Sequence, residues 1–118
     1  MPPEVLVLLF DIRQACGLIR EFTAGKSADD FRADVQLRSA VERQFITIGE
    51  ALHQGIRLWP MLADSISDHR RIINFRNVIV HGYARVAIDT VWGVVESELD
   101  VLLSEVQELM PPEPNTDQ

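Results

Sequence analysis

A chain of 118 residues that is 47% hydrophobic and 25% charged has the size and balance of one globular domain, able to bury a core without disulfides or metals. Its net charge of −7 excludes a protein that coats nucleic acid through a broad basic face. The single cysteine, Cys16, has no intramolecular bridging partner and sits in an apolar stretch, which predicts a buried free thiol and a cytoplasmic location.

Prolines suited to a helix start precede Val5, Leu8, Leu9, Ile12, Cys16, Ile19 and Phe22, whose spacing predicts the first long helix. The run Val5-Leu6-Val7-Leu8-Leu9-Phe10 is too short to cross a bilayer and reads as core; no membrane association is expected. Ala24-Gly25-Lys26 ends this helix. Ser27 caps a short helix or bend over residues 28–34, with Asp29 and Asp30 at its electropositive end.

Val35, Leu37, Val41, Phe45, Ile48, Leu52 and Ile56 predict a second long helix, and Gly49 inside it points to a close helix contact. Trp59-Pro60 interrupts the pattern. Ser67 or Asp68 is placed to cap a third helix carrying Ile72, Ile73, Phe75, Ile79 and Val80 toward Gly82. Asp89 or Thr90 is placed to cap a fourth, with Val91, Val94, Val95, Leu99, Leu102, Val106 and Leu109 on one stripe. No stretch sustains the alternation of a strand. The expected fold is therefore all-α: an up-and-down four-helix bundle with an additional short helix, filling a single domain over residues 1–110. Residues 111–118 form a polar, proline-rich tail beyond the last helix.

Charge is unevenly distributed. Residues 65–85 hold Arg70, Arg71, Arg76 and Arg85 against Asp68, a local +3, while the remaining seven basic and seventeen acidic residues sum to −10. A phosphate-facing surface belongs in that segment, with Arg70 and Arg71 as candidates for a longer track outside the catalytic set. Within it stands Arg76-Asn77-Val78-Ile79-Val80-His81-Gly82-Tyr83. Its residue types suit RNA cleavage by internal attack of the ribose 2′-oxygen on the adjacent phosphorus. Histidine moves a proton near neutrality, and arginine forks onto phosphate oxygens and stabilises the added negative charge. Such chemistry requires no metal or cofactor, and none is expected. The one Glu-x-x-His, at Glu50 and His53, lacks the second copy and extra glutamates of a di-iron bundle, so it reads as a surface pair.

Spacing alone is weak support, because an arginine five residues before a histidine is common. On a regular helix Arg76 and His81 point roughly 140° apart, whereas Asn77 and His81 share a face. Either Gly82 unwinds the last turn, or a two-fold axis gathers Arg76 and His81 from two copies; the dimer is the favoured expectation. Asn77 is a supporting residue, placed to orient the imidazole or bond the phosphate.

The segment resembles the R-N-x-x-x-H-x-Y signature of HEPN-domain RNase toxins of the HepT type, with matches at Arg76, Asn77, His81 and Tyr83. Residues 40–51 are similar to that family's long helix, and Val91-Trp92 onward resembles its last helix. The resemblance implies a homodimeric, metal-independent endoribonuclease toxin that cleaves RNA at a composite cleft, with Arg76 and His81 as catalytic residues. It further implies an antitoxin partner, a minimal nucleotidyltransferase of the MntA-like kind, that transfers AMP to Tyr83. Phosphate added beside Arg76 and His81 would occupy the anion site and repel RNA. Two other functions fit the same residues: a non-catalytic helical module that docks a nucleotidyltransferase or a nucleotide, and a structural bundle in which the motif is accidental.

Overall fold

Pro3 opens the first helix, where its fixed φ suits the helical turn and its missing N–H costs nothing. This helix, α1 (Pro3–Thr23), leads through Ser27 into the short α2 (Ala28–Ala33) and then α3 (Val35–Leu58). A four-residue turn, α4 (Leu62–Ser65), precedes α5 (His69–Val80), α6 (Ala84–Ser97) and α7 (Leu99–Leu109). The computed structural model describes residues 1–81 and 84–112, with the side chains of 84–87 excepted.

The all-helical reading holds: among the described residues there is no strand. Packing contacts give the direction of each long helix. Gly55, near the end of α3, lies beside Leu8 at the start of α1, so the two run antiparallel. His53 and Ile73 line the same cleft as Glu50 and Arg76, which makes α5 antiparallel to α3. Arg20 pairs with Asp100 at 3.6 Å, joining the end of α1 to the start of α7. The up-and-down order follows from these contacts.

One core runs through the assembly. Val5, Leu9, Ile12, Cys16 and Ile19 of α1, at alternating four- and three-residue spacing, and Val41, Ile48 and Leu52 of α3, at seven- and four-residue spacing, are fully buried on one face of each helix. Phe31 of α2 is also fully buried, with its ring 5.2 Å from that of Trp92. Phe45 meets Phe75 edge-on at 5.1 Å, holding α3 to α5. No helix is long and apolar enough to cross a membrane among the described residues.

Caps follow sequence chemistry closely at α2. The Ser27 hydroxyl accepts from the Asp30 N–H, and Asp30 accepts from the Ser27 N–H, a reciprocal capping box. Those bonds hold the Asp30 carboxyl below its ordinary range.

Several details differ from the sequence reading. The run from Val5 to Phe10 is only partly core, because helical geometry sends Val7 and Phe10 outward, 61% and 50% exposed. The turn α4 appears where no helix was expected. Neither Ser67 nor Asp68 caps α5 with its side chain; Ser67 instead donates to Glu105 of α7. The fourth helix begins at Ala84, not at Asp89 or Thr90. Asp89 is drawn into an ion pair with Arg32 at 2.9 Å, which ties α6 to α2. That helix is also split at Glu98. There the Ser97 hydroxyl donates to the Gly93 carbonyl at 2.7 Å, a back-bond that bends helices.

Helices approach closely at Gly49, as its position inside an apolar helix predicts. A Cβ added there would stand 2.3 Å from Arg76 Cβ. At Gly55 the obstruction would be only the Leu62 Cδ2 methyl at 2.8 Å, and at Gly17 there is nothing within 4 Å.

Three alanine substitutions separate these environments. Gly17→Ala should gain about 0.5–1 kcal/mol from helix propensity. Gly55→Ala should be nearly neutral, since a leucine methyl yields. Gly49→Ala must push α5 away, and an overpacking cost of about 1–3 kcal/mol outweighs the propensity gain. Thermal melts are expected in the order Gly17→Ala, wild type, Gly49→Ala; a Gly49→Ala protein melting at or above wild type contradicts the close contact. A second expectation concerns Cys16, whose thiol burial pushes from 9.0 up to about 12. Folded chains keep that proton between these values while unfolded chains release it, so this group's contribution to stability falls as pH rises through the window. A thiol reagent at pH 8 should label Cys16 only after denaturant is added.

Candidate active site

Helix α5 carries the basic motif because its inner face, Ile72 and Phe75, is buried while its flanks remain at the surface. Arg76 follows Phe75 directly and lies over α3 at the Gly49 gap. With no side chain at Gly49, the Arg76 stem passes close against α3, and its Cγ would be 2.8 Å from a Cβ there. The head then emerges beside Glu50, the next residue of α3.

The guanidinium is held at two points. One terminal nitrogen donates to Asn77 Oδ1 at 2.9 Å, and the other donates to Glu50 Oε1 at 3.0 Å. Arg76 Nε is buried and has no partner among the described residues. The Arg76 side chain is 31% exposed and Glu50 57%, so the ion pair sits at a surface cleft. That cleft has a volume of about 310 Å³ and is lined by Gly49, Glu50, His53, Ile73, Arg76 and Asn77. A cation, a carboxylate, an amide and an imidazole therefore share one concavity between α3 and α5.

His81 closes α5. Its backbone N–H donates to the Asn77 carbonyl at 3.0 Å, completing the last helical turn. The residue is exposed and is not among those lining the cleft. Asn77 thus serves both ends of the motif, binding Arg76 through its side chain and His81 through its backbone. The side-chain bond links Asn77 to Arg76, where sequence reading had it orienting the imidazole or bonding phosphate. Tyr83, the expected modification site, and Gly82, the expected unwinding point, lie outside the described residues.

Two acidic partners temper the basic segment. Arg71 is turned toward Glu98, 2.5 Å away, at the junction of α6 and α7. It therefore helps join the helices, where an extension of an RNA track was a candidate role. Arg76 is balanced by Glu50. Among the described residues no cluster of three or more His, Cys, Asp or Glu side chains could hold a metal ion. Sequence reading left Glu50 and His53 as a surface pair. The signal that places them at the site is Gly49, since the residue that admits Arg76 immediately precedes the one that binds it.

Comparison with known proteins bears on the family to which the chain belongs. A protein of Methanocaldococcus jannaschii, whose name pairs a gamma-glutamylcyclotransferase with a candidate RNase, is 29% identical over 113 residues, 93% of this chain and 49% of the relative. This chain thus spans about half of that relative's length. A protein of Thermococcus cleftensis named as a probable ribonuclease HepT is 30% identical over 101 residues, 86% of this chain and 91% of the relative. No solved structure matches. The match to the family described as ribonuclease HepT-like runs over residues 12–59 and 61–109. It takes in α3, α5 and the whole Arg76 cleft, and the chain belongs to the HepT-like ribonuclease family.

Proposed function

We propose that this chain is a metal-independent endoribonuclease toxin acting at the Arg76 cleft. The observation that carries the reading is an arginine fixed at two points in a concave site, five residues before an exposed histidine, in a chain of a ribonuclease family. Arg76 receives the scissile phosphate and stabilises the extra negative charge of the pentacoordinate transition state. His81 takes the 2′-hydroxyl proton or returns one to the leaving 5′-oxygen. Both groups work without a metal.

The active form in this proposal is a homodimer. Arg76 is drawn inward toward α3, whereas His81 stands exposed at the helix end. Two copies meeting near the ends of α5 would bring the arginine of one to the histidine of the other. A nucleotidyltransferase antitoxin completes the proposal, silencing the enzyme by transferring AMP to the Tyr83 hydroxyl, which blocks the anion site with added negative charge.

Purified protein should cut RNA in the presence of EDTA. Arg76→Ala and His81→Ala should each lower the rate by at least about a hundredfold. Unchanged cutting by His81→Ala would sink the catalytic assignment, and a wild-type protein that cuts nothing yet binds a nucleotidyltransferase would favour a docking module. The dimer has its own check. Co-expression of differently tagged Arg76→Ala and His81→Ala chains should yield a mixed species that regains part of the activity; a mixed species as dead as its parents argues against a shared cleft. For the switch, intact mass after co-expression with a nucleotidyltransferase should rise by AMP increments, and Tyr83→Phe should remove them.

A further inference from the structure

We propose that Glu50 is the positioning residue for Arg76, holding the guanidinium in the attitude that meets the scissile phosphate. The inference rests on the ribonuclease reading above and assigns a role that no element of the motif on α5 supplies. Arginine has a long side chain with a large rotamer entropy, and a catalytic charge displaced by about 1 Å can cost about a hundredfold in rate. Three contacts restrict Arg76. Gly49 confines its stem, Asn77 accepts from one terminal nitrogen, and Glu50 accepts from the other at 3.0 Å.

Asn77 sits on the same helix as Arg76, so their bond does not relate α5 to α3. Glu50 lies 26 residues away on α3 and supplies that relation. The two terminal nitrogens carry four hydrogens in all. Glu50 and Asn77 use one on each nitrogen, which leaves one on each for phosphate oxygens. The carboxylate therefore aligns the fork without consuming it. Its charge is 57% exposed and is screened by water. Loss of the charge should therefore affect RNA affinity less than loss of the acceptor affects turnover.

The experiment compares Glu50→Ala and Glu50→Gln with Arg76→Ala in cleavage of an RNA oligonucleotide, with thermal melts alongside. Glu50→Ala should lower kcat about 10- to 100-fold while KM stays level or falls. Glu50→Gln keeps an oxygen that can accept from the guanidinium and should recover kcat to within about threefold of wild type. A Glu50→Ala enzyme with wild-type or higher kcat overturns the proposal, as does Glu50→Gln impaired as severely as Glu50→Ala.

A second measurement does not depend on the variant's stability. Free guanidinium, at millimolar concentrations that leave the fold intact, should restore part of the activity of Arg76→Ala by entering the slot between Glu50 and Asn77. The double variant Glu50→Ala/Arg76→Ala should gain none; equal rescue of both overturns the positioning role. Wild-type cleavage by Arg76→Ala instead would mean that the ribonuclease site itself lies elsewhere, a failure distinct from that of Glu50.

Discussion

Two helix backbones come close enough at Gly49 that no side chain fits between them, and Arg76 Cβ occupies the space a Gly49 Cβ would claim. Most of what is distinctive in the molecule depends on this approach. It seats α5 on α3, where Phe45 and Phe75 meet edge-on. It also decides that the arginine stem is packed and its head is partly exposed. A long cation becomes useful for recognising phosphate when its position is settled before the ligand arrives, because ordering it on binding would otherwise cost affinity and rate. The glycine provides the space and the neighbouring glutamate the anchor.

The same arrangement is compatible with the proposed phosphate-directed site in an acidic protein. A chain of net charge −7 would repel RNA at long range, and two arginines of the basic segment are further committed to Glu50 and Glu98. What remains is a local recognition site with little nonspecific attraction. In the proposed ribonuclease, such an arrangement would favour contacts at the scissile phosphate over a broad electrostatic footprint. Asn77 adds to the local order, since its amide and its backbone carbonyl connect Arg76 with His81 across one helical turn.

Below the site the bundle is an ordinary apolar core, and its conformity is what leaves the cleft free to be polar. Fully buried stripes on α1 and α3 account for the antiparallel pair on which α5 rests. The breaks and bends occur toward the other helices, where side chains compete for backbone bonds or for one another. Ser97 takes the Gly93 carbonyl, Glu98 turns to Arg71, and Asp89, within α6, meets Arg32. Each is a polar contact between residues distant in sequence or a local back-bond, of a kind that capping preferences alone do not foresee.

The periodicity of apolar residues was enough to determine the all-α class, the first three long helices, the burial of Cys16 and the tight contact at Gly49, because these depend on local spacing and on the presence or absence of a side chain. The Arg76, Asn77 and His81 set was likewise legible, since a motif is a property of the chain itself. Which residue each of them touches was not. The bond from Arg76 to the Asn77 side chain was not foreseen beside the roles expected of Asn77, and Glu50 looked like a surface residue until α5 was packed against α3. The orientation of a side chain in a cleft depends on how two helices are rotated and spaced, which arises from the packing of the whole core and is written in no single stretch of sequence. Tertiary structure alone therefore brought Glu50 and His53 to the arginine and separated His81 from that cleft.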